Sequence, residues 1–188
     1  MKHPVLLLID IQNDYFPGGP LELPHALKAA QEAARLLRAF RARGHAVVHV
    51  RHQSPPGSLP FLVQGSQGGE LHSLVEPKSD EVVIDKQFPN AFTQTKLETT
   101  LRELSAEPVV ICGMMTHLCV SSTARGAMEL GFETIVATEA TQTMDLQDGD
   151  ALIPAAVVKQ AHLAALAGFI AEPKLSAELL SLYCPSSP

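Results

Sequence analysis

A chain of 188 residues, 46% apolar and 18% charged, can bury a core of its own and has neither a disordered nor a fibrous composition. Its formal net charge of −6, with acids and bases interspersed, gives no basic footprint for nucleic acid and points to a small-molecule or subunit partner. The three cysteines, Cys112, Cys119 and Cys184, are an odd number without CxxC spacing, which fits a reducing interior better than a disulfide framework.

In chain order, MKHPVLLLID carries Lys2 before an apolar run that ends at Asp10. The run is too short for a membrane span and is not built as a signal peptide, so a cytoplasmic location is expected. VLLLI (5–9) reads as a first strand. ALKAAQEAARLLRAFRAR reads as a helix with Leu27, Ala30, Ala34, Leu37 and Phe40 on its apolar face and Lys28, Gln31, Arg35 and Arg38 opposite. Pro24 suits its first turn and Gly44 its exit. HAVVHV (45–50) is a second strand. The Gly-, Pro- and Ser-rich stretch 52–80 follows, too long for a plain connection and expected to form pocket wall or a subunit contact.

EVVI (81–84), PVVIC (108–112) and ETIVA (133–137) are further short apolar runs, and GFIA (168–171) is a candidate sixth. Continuous runs of this length suit strands covered on both faces. Helices are expected from about Thr116 to Leu130, closed by Gly131, then over 149–166 and over SAELLSLY near the end. Strands alternating with helices predict one α/β domain over 1–188, a three-layer α/β/α sandwich around a parallel sheet.

Ligands of open α/β sheets bind beyond the carboxyl ends of the strands. Three reactive residues stand there: Asp10 after VLLLI, Lys86 after VVID, and Cys119 just past VVIC. Singly, each has an ordinary explanation as a turn residue, a solvated amine or a small buried hydrophobe. Together they are complementary. With Thr116 as helix cap, Cys119 falls in the first turn, where backbone N–H groups and the helix dipole favour a thiolate and an oxyanion. Asp10 can exchange the thiol proton, and Lys86 can hold Asp10 ionised.

LLLIDIQNDYFPGG, DKQFPNAFTQTKL and ICGMMTHLCVSSTARGAMELGF resemble the isochorismatase-like cysteine hydrolases, a superfamily that includes nicotinamidases and N-carbamoylsarcosine amidases. The resemblance spans most of the chain, and the motif around Cys119 is its most specific part. It implies a Rossmann-like six-stranded parallel sheet of order 3-2-1-4-5-6 and an Asp10–Lys86–Cys119 triad. It also implies a cis peptide between Met114 and Met115, an oxyanion hole from the N–H groups of Met115 and Cys119, and assembly as a dimer or tetramer. No cofactor is implied.

HVRHQSPPG lacks the Asp-x-His of the metal-dependent nicotinamidases, Arg51 standing at the acid position. His49 and His52 alone are too few for a site, so no metal is expected. Phe16, His52, Phe61, Phe92, Thr116 and His117 are the candidate substrate-binding residues, Phe16 and Phe92 being equally readable as core. Asn13 and Asp14 lie near them, Asp14 with a structural role. His117, two positions from Cys119, faces elsewhere and is not its base. His162, Cys112 and Cys184 read as inert.

The expected activity is hydrolysis of a small-molecule amide or carbamoyl C–N bond through a thioacyl enzyme. The alternatives are vinyl-ether hydrolysis of the isochorismatase type, with Asp10 as general acid, and a non-catalytic binding module on the same fold.

Overall fold

The unbroken aliphatic run Val5–Ile9 forms strand β1, every residue of it buried, at the centre of a sheet. Alternation along β1 sends Leu6 and Leu8 to one face and Val5, Leu7 and Ile9 to the other, so each face needs its own layer of helices. The computed structural model describes residues 3–185, leaving Met1, Lys2 and the last three residues outside the description. The remaining strands are β2 (Ala46–His52), β3 (Val82–Lys86), β4 (Val109–Met114), β5 (Thr134–Gln142), the hairpin β6 (Leu146–Asp148) and β7 (Ala151–Ile153), and β8 (Glu172–Lys174). The helices are α1 (Ala26–Ala42), α2 (Leu97–Glu103), α3 (Ser121–Glu129), α4 (Ala155–Leu166) and α5 (Ser176–Tyr183).

Six strands pair in parallel in the order β3-β2-β1-β4-β5-β8, the expected doubly wound arrangement with β8 in the sixth place. One face packs against α1 and the end of α5 through Leu36, Leu37, Phe40 and Leu179. The other is covered by α2, α3 and α4 through Leu97, Leu101, Ala124 and Leu166.

Several boundaries differ from the sequence reading. The sixth strand is not GFIA but the polar EPK that follows. Gly168 turns the chain at φ +79° and leaves Phe169 84% exposed; only then does the chain pair with Ile135–Ala137. An edge strand needs neither a long apolar run nor every N–H, and so tolerates Pro173. The helix placed over 149–166 begins at Ala155, because a β6–β7 hairpin occupies its first residues. Pro24 lies outside α1, whose preceding residue is His25 in the left-handed region, and Leu27 is half exposed while Ala26, Ala33 and Leu36 face the core. The exit of α1 is as read: Gly44, at φ +69°, donates to Arg41, and His45 donates to Phe40.

The long segment after β2 folds back on the β1 exit. Gln12 bridges to Leu71, and its carboxamide donates to the carbonyls of His52 and Gly69 while accepting from the His52 N–H. Asp14 accepts from the Leu62 N–H at 2.6 Å, and Asn13 donates to the Gln67 carbonyl. Asp14 thus has the structural role read for it. Gly68 has to lack a side chain, since a Cβ there would lie 1.7 Å from Asp14 Oδ1. Among the described residues no helix is long and apolar enough to cross a membrane.

Candidate active site

Asp10, Lys86 and Cys119 leave the carboxyl ends of β1, β3 and β4, and the parallel register brings those ends together. Ile9 pairs with Val50 and with Gly113, and His52 pairs with Lys86. The β1–β4 approach beside Asp10 is so close that a Cβ on Gly113 would lie 1.9 Å from the Ile9 carbonyl oxygen. Asp10 itself is held at φ +50°, a strained conformation for a residue with a side chain, its N–H bound to the Val50 carbonyl.

After β4 the Met114–Met115 peptide is cis, and Thr116–Val120 form a single π turn that runs into α3. The Leu118 and Val120 N–H groups both donate to the Met115 carbonyl. Thr116 does not cap this turn, contrary to the sequence reading. Its hydroxyl is buried with no partner, because the chain enters through Met115 rather than through a capping side chain.

Lys86 is the hub. Its Nζ lies 2.7 Å from Asp10 Oδ2, 3.2 Å from His52 Nδ1 and 3.3 Å from Cys119 Sγ. The Lys86 ammonium and the Asp10 carboxylate form a fully buried ion pair. Burial lowers the Lys86 pKa, but the Asp10 charge and the hydrogen bonds to Asp10 and Cys119 outweigh it and leave the amine raised, hence protonated. Burial, then the neighbouring Lys86 charge, push His52 down, so its neutral ring accepts from the ammonium. For Cys119, burial and the Asp10 charge outweigh Lys86 and raise the thiol to about 12. Burial and the Asp10 charge thus oppose the thiolate that the helix start and Lys86 favour, and the thiol stands beside an Asp–Lys ion pair.

The other predicted residues divide. His52 joins the triad. Phe16, stacked on His72 at 3.9 Å, and Phe61 pack in the core cluster that also holds Met115. Phe92 packs on the other cluster, the one that holds Cys119, with its ring stacked at 6.1 Å on Phe132 ahead of β5. His117 hydrogen-bonds Thr143 through Nδ1 and meets His162 edge-on, facing α4 rather than Cys119's partners. His49 and His52 lie on opposite faces, as a period of two requires. His49 binds Glu81 at 3.0 Å, and among the described residues no group of three or more His, Cys, Asp and Glu side chains is placed to hold a metal. Cys112 is fully buried, its thiol also raised to about 12 by burial.

Sequence reasoning missed Tyr15 and Gln12. Burial, followed by the charges of Asp10 and Cys119, raises the buried Tyr15 phenol well above its usual value and marks it as a neighbour of the triad. The stretch that holds them, IDIQNDY, is a polar run at a strand exit, which does not by itself say which side chains turn inward. Beside Lys86 opens a cavity of about 230 Å³, its wall built from Gln53, Gln64, Gln87 and Gln94.

Comparison with known proteins gives the family and the fold. The isochorismatase domain family matches residues 4–167. The uncharacterized isochorismatase family protein YddQ of Bacillus subtilis is 42% identical over 93% of this chain and 97% of its own length. A maleamate amidohydrolase of Pseudomonas putida is 34% identical over 73% of this chain and 71% of its own. The crystal structure of an isochorismatase from Pseudomonas putida superposes with a TM-score of 0.89 at 37% identity, covering 95% of this chain and 91% of the other. On its family match, its sheet order and its strand-end residues, the chain belongs to the isochorismatase family.

Proposed function

We propose that the protein is a cysteine hydrolase that cleaves a C–N bond of a small amide or carbamoyl compound through a thioacyl enzyme. The observation that carries this reading is the buried contact of the Lys86 ammonium with both Asp10, at 2.7 Å, and Cys119, at 3.3 Å. The resemblance to an amidohydrolase relative supports it.

Cys119 Sγ attacks the substrate carbonyl carbon while its proton passes to Asp10, so no free thiolate has to persist in the buried site. The carbonyl oxygen becomes an oxyanion, for which the Met115 and Cys119 N–H groups are the proposed donors. Lys86 keeps its proton throughout and offsets the negative charge as it moves from carboxylate to oxyanion. Collapse breaks the C–N bond, and Asp10 returns the proton to the leaving nitrogen. A water molecule, deprotonated by Asp10, then attacks the thioester carbon. The acid is released, and Cys119 regains its proton.

Ammonia release from a panel of small amides, measured for the wild type and for Cys119→Ala, tests the reading. Turnover by the wild type with a loss of about a thousandfold or more in the variant is expected. Equal turnover by both refutes the covalent route, and turnover that survives Cys119→Ala but not Asp10→Asn assigns general acid chemistry to Asp10 instead.

A further inference from the structure

The Lys86 side chain is wholly buried, so its ammonium hydrogens have to find acceptors within the protein. Three acceptors stand around it: Asp10 Oδ2, His52 Nδ1 and Cys119 Sγ. An ammonium turns about its last C–N bond, and two fixed acceptors decide where the third hydrogen points. With Asp10 and His52 in place, that hydrogen is aimed at the sulfur.

His52 is held for this part by its backbone. It pairs with Lys86 in the β2–β3 register, and its N–H donates to Gln12 Oε1 at 2.8 Å. Its carbonyl accepts from Gln12 at 2.8 Å and from Gln53 at 3.2 Å. Because Nδ1 accepts from the ammonium, the proton of the neutral ring sits on Nε2. No described residue binds Nε2, and His52 is 8% exposed, so the ring is not sealed from solvent protons. The charged groups facing it are Lys86 of β3 and Asp10 beyond β1. Arg51 and Asp85, each one residue earlier in its strand, turn to the other side of the sheet and pair there. Burial, then the Lys86 charge, outweigh Asp10 and keep the ring neutral until the pH drops below its ordinary value of about 6.5.

We infer that His52 is a positioning residue for the thiol chemistry. Its neutral Nδ1 takes one Lys86 hydrogen and so aims another at Cys119, whereas a protonated ring cannot accept and lets the amine turn from the sulfur. The inference rests on the cysteine hydrolase reading above, and its test needs no substrate.

Iodoacetamide alkylates Cys119 in the intact protein: an S–CH2 bond forms, iodide leaves and the thiol proton passes to Asp10. Peptide mass spectrometry follows Cys119 separately from Cys112 and Cys184. At about pH 7.5, His52→Leu is expected to label about tenfold or more slower than the wild type. His52→Asn, whose side-chain oxygen stands as close to the backbone as Nδ1, is expected to regain most of that loss. The wild-type rate is expected to fall below about pH 6.5 as the ring gains its proton. In His52→Asn, which has nothing to protonate there, the fall comes at lower pH. Leucine and asparagine variants that are equally slow reveal a merely structural residue and overturn the inference. So does a leucine variant as fast as the wild type, or an acid limb that His52→Asn leaves in place. Should His52→Leu fail to fold by circular dichroism, the two acid limbs decide alone. Wild-type Cys119 that labels no faster than the buried Cys112 overturns the thiol chemistry itself, and the part of His52 with it.

Discussion

Lys86 has three ammonium hydrogens, and at its head stand a carboxylate, a neutral imidazole and a thiol. Each of these is a weaker reagent alone than in the set: Asp10 without Lys86 would be an unpaired buried charge, and Cys119 without Asp10 a thiol with nowhere to send its proton. Asp10→Asn keeps the shape but removes the proton acceptor, so a drop of about a hundredfold or more in kcat/KM is expected in steady-state assays, with the fold intact by circular dichroism. Gln12 acts differently, by tying His52 to the long loop through three hydrogen bonds. Gln12→Ala strands the buried His52 N–H and leaves the His52 and Gly69 carbonyls to Gln53 alone, and is expected to cost about 1–3 kcal/mol in urea unfolding. The triad was legible in the sequence because strand ends of a parallel sheet collect reactive residues on one edge. Gln12 and Tyr15 were not, since a polar side chain at a strand exit gives no sign of whether it turns inward.

Between residue and fold, the connecting segments carry the constraints. The β1–β4 contact leaves no room for a side chain on Gly113, whose φ is +123°. Gly113→Ala has to push apart the two strands that hold Asp10 and the Cys119 turn, and it is expected to lower both stability and activity, by at least about 2 kcal/mol in denaturant unfolding. At the start of β3, Glu81 fastens the end of the long segment to Arg41 of α1, to the Lys78 N–H and to His49. Burial alone would raise its carboxyl, but these partners outweigh burial and bring it to about 2. A depressed native pKa stabilises the fold above the unfolded value and loses that contribution as the group takes up its proton, here between about pH 4.5 and 2. Glu81→Gln is accordingly expected to be less stable than the wild type at pH 7 and to lose less on acidification, which urea midpoints measured from pH 7 to 3 would show. Neither device was legible: the Arg41–Glu81–His49 cluster joins three elements far apart in sequence, and the β6–β7 hairpin and short α2 lack a strong apolar period.

For the whole molecule, burial on both faces explains why the architecture was readable. Strands covered twice have to be nearly continuous runs of Val, Leu and Ile, and β1, β2, β4 and β5 announce themselves that way, while the edge strand β3 shares the apolar run EVVI although Val82 and Val83 are exposed. Where one side or edge is free the rule fails, and β8, a Glu-Pro-Lys edge strand, passed for a loop. Leu7, fully buried between β1's neighbours and the α2–α3 layer, tests the two-layer core. Leu7→Ala is expected to cost about 2–5 kcal/mol, seen in a calorimeter as a fall of roughly 5–15 °C in Tm. The cavity beside β3 lay beyond sequence reasoning for the opposite reason, because its glutamines come from two connections whose meeting only the folded chain defines. The chemistry proposed for Cys119 turns on one covalent bond. Intact mass spectrometry of the enzyme quenched during turnover of a small amide tests that bond most directly. The account predicts a transient mass increase equal to the substrate's acyl group, mapped to Cys119 and abolished by Cys119→Ala. Steady turnover with no adduct at any time, undiminished in Cys119→Ala, would contradict it.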